Sequence, residues 1–219
     1  PNRLDDSSGL GHLAAVGVVF LLVVAINRAL RSSGWYAERK EPDLMRWLDL
    51  VALGTVCDVV PLRGLNRAFV TQGLKVLHRR ENLGLRALTD VSAINEPPTA
   101  YHLGFVLGPR INAGGRIGSA DLGVRLLTAV AEDEAADLAR RLDELNRERQ
   151  DIEKGVLEEV MEKFAKKPRG PAVVAVGDNW HPGVIGIVAS RLKDHFNCPA
   201  CVISMKQDSG VGTGSVRSV

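Results

Sequence analysis

Four stretches of the chain hold residue types that could do chemistry. The first centres on Asp58, in LGTVCDVVPL, with Val56, Val59, Val60 and Leu62 around it. A carboxylate among apolar neighbours asks for a partner, because an isolated buried charge is costly. A divalent cation, a backbone N–H or an arginine would each serve, and one carboxylate alone does not make a metal site. The second is GPRINAGGRIG, which sets Arg110, Asn112 and Arg116 around closely spaced glycines. Such glycines let the backbone approach an anion while guanidiniums offer forked donors to phosphate. A helix C-cap with surface arginines has the same composition. The third, DNWHPGVIGIVASRL, puts Pro182 and Gly183 at a helix start suited to an anion or a loop, with His181 just outside. A lone His there also fits a hydrogen-bonded structural role. The fourth is GVGTGSVRSV, whose Ser215, Arg217 and Ser218 suit either a terminal-phosphate loop or an ordinary hairpin.

Composition narrows the classes. The chain has 219 residues, 45% hydrophobic and 25% charged, enough to bury a core, which excludes disordered, collagen-like and purely coiled-coil proteins. Residues 1–131 carry 15 Lys/Arg against 11 Asp/Glu, residues 132–167 carry 8 against 12, and residues 168–219 carry 5 against 3. Two mildly basic bodies flanking an acidic segment permit a polyanionic partner without demanding one. Three cysteines give no disulfide framework and suit a reducing cytoplasm. Cys198 and Cys201 form a CxxC that leads into an apolar strand rather than a helix, so they read as core and strand-entry thiols.

The elements that must position these residues follow from spacing. Gly9–Ile26 has no charged residue over 18 positions, at the threshold for a membrane span. His12, several glycines and the lack of a second span favour a buried helix of a cytoplasmic domain over Gly9–Arg31, with no membrane. PNRLDD before it is too acidic for a signal peptide. Asp43 caps a helix running through Leu44, Trp47, Leu48, Val51 and Ala52 until Pro61 stops it. Helices are predicted at 66–80, 84–91, 101–111 and 122–130, with AGGRIG as a loop. The clearest element is 132–167, where Leu138, Leu142, Leu145, Ile152, Val156, Val160 and Phe164 share one stripe. A helix of about 36 residues spans roughly 54 Å, and its charged faces read as solvated surface. Acidic residues open it, Lys166 and Lys167 close it, and Pro168 to Pro171 mark a boundary. Beyond lie a strand at 172–176, a helix at 184–196 and a strand at 200–204, the start of a small α/β domain.

Taken in order, LDLVALGTVCDVVPL, GPRINAGGRIG, LDELNRERQ, NWHPGVIGIVASRL and GTGSVRS resemble the RecJ family of single-strand-specific 5′→3′ DNA exonucleases, in the DHH phosphoesterase superfamily. The resemblance reaches from Pro1-Asn2-Arg3 to the last residue. It implies an α/β fold: the mostly helical C-terminal part of a DHH-type parallel-sheet catalytic domain (1–131), a long connecting helix (132–167), and the N-terminal part of a DHH-associated nucleic-acid-binding domain (168–219). It implies Asp58 as a metal ligand and catalytic residue, and Arg110 as catalytic. Arg110, Asn112 and Arg116 would hold the substrate backbone. His181 lies in the matching WHPG turn, and Ser215, Arg217 and Ser218 would grip the strand near its 5′ end. The implied chemistry is two-metal phosphodiester hydrolysis with Mn²⁺ or Mg²⁺ in DNA repair and recombination. The implied partners are single-stranded DNA with a 5′ end, a single-strand-binding protein and a helicase.

The chain also departs from the pattern. The family's Asp-His-His motif is absent, so the resemblance places most metal ligands upstream of Pro1 and reads this chain as a middle piece, inactive alone. Cys57 stands where a small residue is usual. Val216 replaces a Gly between the Ser and Arg of the last loop, which puts that loop in question if the position needs positive φ. Without the parallel sheet, Gly9–Ile26 would expose an apolar face and promote aggregation. Two rivals remain: a DHH phosphoesterase acting on nucleotides or short oligonucleotides, and a non-catalytic single-strand-binding module.

Overall fold

The computed structural model describes residues 3–165, 170–207 and 210–219. Its contacts divide into two compact units, Pro1–Pro109 with Arg125–Arg140, and Arg110–Val124 with Arg141–Val219. The first unit is helical. Helix α1 (Ala15–Ser32) leads to α2 (Leu48–Cys57), α3 (Gly64–His78) and α4 (Leu83–Val91). Leu13, Phe20, Leu48, Val51, Phe69 and Val76 form its core, with the Phe20 and Phe69 rings edge to face at 5.6 Å. Asp43 caps as its position predicts, accepting from Met45 N at 3.0 Å, but the turn it starts, Leu44–Trp47, is 3-10 before α2 begins. Asn82 caps α4 by accepting from Leu85 N at 2.9 Å.

Helix α1 corrects the expectation of a buried helix. Only Gly17, Phe20 and Asn27 along it are buried, while Val19, Leu22 and Ile26 are 56%, 58% and 49% exposed. By length and composition α1 is apolar enough to cross a membrane. Its apolar face is thus open, as the reading without a sheet expected. Its C-terminal end is tied down by Asn27, which donates to Glu41 Oε1 at 2.7 Å and accepts from Tyr36 Oη at 2.7 Å.

A second correction concerns AGGRIG. A π-helical turn, His102–Leu107, runs directly into α5 (Gly108–Ile117), so Gly114 and Gly115 are helical and the loop is confined to residues 118–120. Tertiary packing outweighs low helix propensity: Gly114 lies against Leu142, close enough that a Cβ would stand 3.1 Å from its Cδ2. Pro109 follows the π-helical turn directly, where the regular α-helical bonding that a Pro would interrupt is already broken. Helix α6 (Asp121–Leu127) follows, and then α7 (Glu132–Ala165), a single helix of 34 residues. Lys166 to Arg169, invoked for its end and for the boundary, lie outside the described residues.

The second unit holds a three-stranded mixed sheet in the order β1-β2-β3. Strand β1 (Val173–Asp178) pairs in parallel with β2 (Ala200–Met205) through the crossover helix α8 (Pro182–Phe196), from Val173↔Ala200 to Asp178↔Met205. Strand β3 (Gly212–Arg217) pairs antiparallel with β2, from Ala200↔Arg217 to Met205↔Gly212. Val173, Ala175 and Gly177 alternate inward along β1, as strand geometry requires. Val173 and Ala175 join Val156, Val160, Trp180, Val188, Leu192 and Val202 in one core. An α/β arrangement with a small mixed sheet is therefore what the chain forms. Cys57, Cys198 and Cys201 are free thiols, and Cys201 is the second residue of β2.

Candidate functional site

Asp58 sits at the C-cap of α2, its N–H donating to Gly54 O at 3.0 Å. Its carboxylate faces solvent, so the argument that burial obliges it to find a partner does not apply. Val59, the next residue, has φ +56° and is 87% exposed. A β-branched residue in the left-handed region is strained, a condition that clusters at functional sites. Asn66, fully buried on α3, holds the loop: its Nδ2 donates to Pro61 O at 3.0 Å and to His12 O at 2.8 Å. Spacing alone did not single out Asn66, because its role depends on two loop carbonyls distant in sequence. A groove of about 470 Å³ beside Asp58 is lined by Val56, Cys57, Val59, Tyr101 and Phe105. Burial, aided by the neighbouring Asp58 charge, pushes the Cys57 thiol up to about 11, so it stays protonated at neutral pH. Among the described residues no three His, Cys, Asp or Glu side chains gather to hold a metal ion. Asp58 fits as one ligand, not as a site.

The other seven candidates, Arg110, Asn112, Arg116, His181, Ser215, Arg217 and Ser218, fall in the second unit. Helix α5 carries Arg110, Asn112 and Arg116. Arg110 Nε donates to Asp143 Oδ1 at 2.9 Å, and Asn112 is exposed. Arg116, also exposed, donates through a terminal nitrogen to Gly183 O at 3.2 Å. That contact joins the end of α5 to the start of α8, where a Cβ on residue 183 would overlap the Arg116 carbonyl. Glycine there is a requirement of close approach. His181 caps α8: its Nδ1 accepts from Gly183 N at 3.0 Å. Its placement thus matches the structural alternative, while the ring stands at the same helix start as Arg116.

Ser215 and Arg217 lie on β3 against α8, where a Cβ on Gly186 would stand 3.2 Å from Ser215 Oγ and 3.1 Å from the Arg217 guanidinium. Arg217 donates to Ser215 Oγ at 2.9 Å and to Val216 O at 2.8 Å, and Ser218 is exposed just past the strand. Val216 pairs with Cys201 as ordinary strand and is not among the positive-φ residues, so a Val is accommodated there without backbone strain.

One face of α7 overturns the reading of its charges as solvated surface. Asp143, Asn146, Arg149 and Glu153 are buried, at 3%, 3%, 9% and 3% exposure. Glu153 accepts from Arg149 at 2.6 Å and pairs with Arg191 of α8. Desolvation lowers the Arg149 pKa from its ordinary value, Glu153 works the other way, and Arg116 and Arg191 add repulsion. These residues recur every three or four positions beside the apolar stripe. That polar periodicity is the signal that would have revealed them.

No protein-family model matches the chain. It is 41% identical over its whole length to the single-stranded-DNA-specific exonuclease RecJ of Dickeya dadantii, covering 39% of that protein, and 40% identical to that of Escherichia coli, again 39%. The Bacillus subtilis RecJ is 39% identical over 95% of the chain and 25% of its own length. Among solved structures, RecJ from Thermus thermophilus in complex with Mg²⁺ or Mn²⁺ matches 85% of the chain at a TM-score of 0.72 and 35% identity, with 28% and 27% of those chains covered. The chain is thus similar in sequence to RecJ proteins along its whole length and in fold to RecJ structures over 85% of it, and it spans about two-fifths of the enteric relatives it matches.

Proposed function

We propose that this chain is part of a metal-dependent exonuclease that degrades single-stranded DNA in the 5′→3′ direction, in DNA repair and recombination in the cytoplasm. The observation that carries the reading is similarity, along the whole of this chain, to proteins named single-stranded-DNA-specific exonucleases. The clustering of Arg116, Ser215 and Arg217 around the N-terminal half of α8 supports it. These donors would hold strand phosphates, with forked guanidiniums giving orientation as well as charge. Residues 1–131 would close the catalytic domain, 132–167 connect, and 168–219 begin the nucleic-acid-binding domain. Asp58 would supply one ligand to a Mg²⁺ or Mn²⁺ ion, whose chemistry is to activate water and offset phosphate charge. The remaining ligands would come from beyond the described residues. A single-strand-binding protein and a helicase are the proposed partners.

The test uses the longer protein that carries this chain, with 5′- and 3′-labelled single strands and a duplex control. Release of nucleotides from the 5′ end of single strands alone, lost in Asp58→Ala, is expected. Cleavage restricted to nucleotides or very short oligonucleotides would favour the phosphoesterase rival. Binding that never leads to cleavage would favour a non-catalytic module.

A further inference from the structure

The buried carboxylates on α7 stand where they can aim the arginines of the second unit. Asp143 has a side chain 5% exposed and two guanidinium partners. Its Oδ1 accepts from Arg110 Nε at 2.9 Å, and its Oδ2 from Arg147, one turn on and 72% exposed, at 2.6 Å. Glu153 repeats the arrangement ten residues later with Arg149 and Arg191. Each carboxylate takes one cation from its own helix and one from a helix packed against it, α5 or α8. Two further facts separate Arg110 from a surface arginine. Its side chain is 19% exposed, and it occupies the first turn of α5 directly after Pro109, whose ring fixes the local backbone. A bond at Nε sets the rotation of the whole guanidinium plane, because that nitrogen lies at the root of the fork.

We propose that Asp143 is a positioning residue: by holding Arg110 Nε it orients the guanidinium toward the phosphate of a bound single strand. The proposal rests on the exonuclease reading for its substrate, though not for the bond itself. Charge alone predicts the opposite effect. Asp143 is an anion beside a phosphate-binding cation, so removing it should strengthen attraction for DNA if the site works only by net charge. If Asp143 works by orientation, removing it weakens cleavage even as the site becomes more positive, because a guanidinium that has lost its Nε bond must be reoriented by each substrate.

The test is a double-mutant cycle in the longer protein that carries this chain. Asp143→Ala should lower kcat/KM on single strands by about tenfold to a hundredfold, the usual scale for a misplaced contact. Asp143→Asn, which keeps an acceptor and drops the charge, should restore much of that. In an Arg110→Ala background the same change should cost less than about twofold. Equal losses in both backgrounds, or tighter binding and faster cleavage in Asp143→Ala, would overturn the proposal. Should Asp143→Ala not fold by circular dichroism, Asp143→Leu, which fills similar volume with no acceptor, takes its place in the cycle. The side-chain Nε–H resonance of Arg110 reads the bond without reference to activity. Protection from exchange in the unaltered protein, lost in the Asp143 variant, is expected, and an unprotected resonance would overturn the proposal. If the unaltered protein leaves single strands intact while that resonance is protected, the exonuclease reading fails and the positioning bond stands.

Discussion

The two units hold their polar candidates in opposite ways. In the first, Asp58 is exposed, with no ion pair or side-chain hydrogen bond among the described residues, and beside it lie strained Val59 and an apolar groove. In the second, Arg110 and Arg116 are held by α7 and α8, Arg217 by β3 itself, and His181 by the helix it caps. A donor array that keeps its geometry through its own contacts is preorganised for an anion. A lone carboxylate at a helix end acquires chemistry only when other ligands come to it. The contrast predicts that substitutions can separate stability from activity in the first unit, whereas the two should change together in the second.

Substitutions can break or sharpen that contrast. The largest effect is expected from Glu153→Ala, which strands the buried Arg149 charge: about 3–5 kcal/mol of stability should be lost, read by urea unfolding. Loss confined to a few tenths would mean that water replaces the carboxylate. Next come two glycines. Gly73→Ala sets a Cβ against the Leu48 carbonyl and Ala52 between α3 and α2 and should cost about 1–3 kcal/mol without other consequence. Gly183→Ala drives α8 from the Arg116 carbonyl at similar cost and should also weaken binding of a 5′-phosphorylated single strand, measured by fluorescence anisotropy. Equal DNA affinity in both variants would remove the coupling claimed for the second unit.

Asp58→Asn should change stability by less than about 0.5 kcal/mol, since the residue is exposed, while abolishing Mn²⁺-dependent cleavage in the longer protein. Leu22→Ser with Ile26→Ser on the open face of α1 should likewise leave melting nearly unchanged but reduce light scattering by this chain. Unaltered scattering would place self-association elsewhere. The smallest effect concerns Asp49, buried at the start of α2, whose pKa burial raises above the ordinary carboxylate range. The folded chain then holds a proton that the unfolded chain has released, so stability should fall as pH rises through that window. Asp49→Asn should flatten this slope in unfolding measured from acid to neutral pH.

Much of this was legible in the residues. The stripe from Leu138 to Phe164 predicted α7, and β-branched runs predicted β1 and β2. Asp43 and Pro182 marked helix starts, because capping and periodicity are local properties. The misreadings share one cause. AGGRIG looks like a loop until Leu142 packs on Gly114. Gly9–Ile26 reads as buried because hydropathy reports an apolar face, not what covers it. Asp143 and Glu153 read as surface because a charge is placed inside only by partners on α5 and α8.

By itself, then, the sequence determined the order of elements, the type of most of them, and a set of ordered motifs that resemble RecJ along the whole chain. Only the tertiary structure decided that Asp58 is solvated, that His181 caps a helix, and that α7 carries a buried polar face. The reason is physical: helix and strand periods are written in neighbouring residues. Burial and hydrogen-bond partnership arise between residues far apart in the chain, such as Arg110 with Asp143 and Glu153 with Arg191.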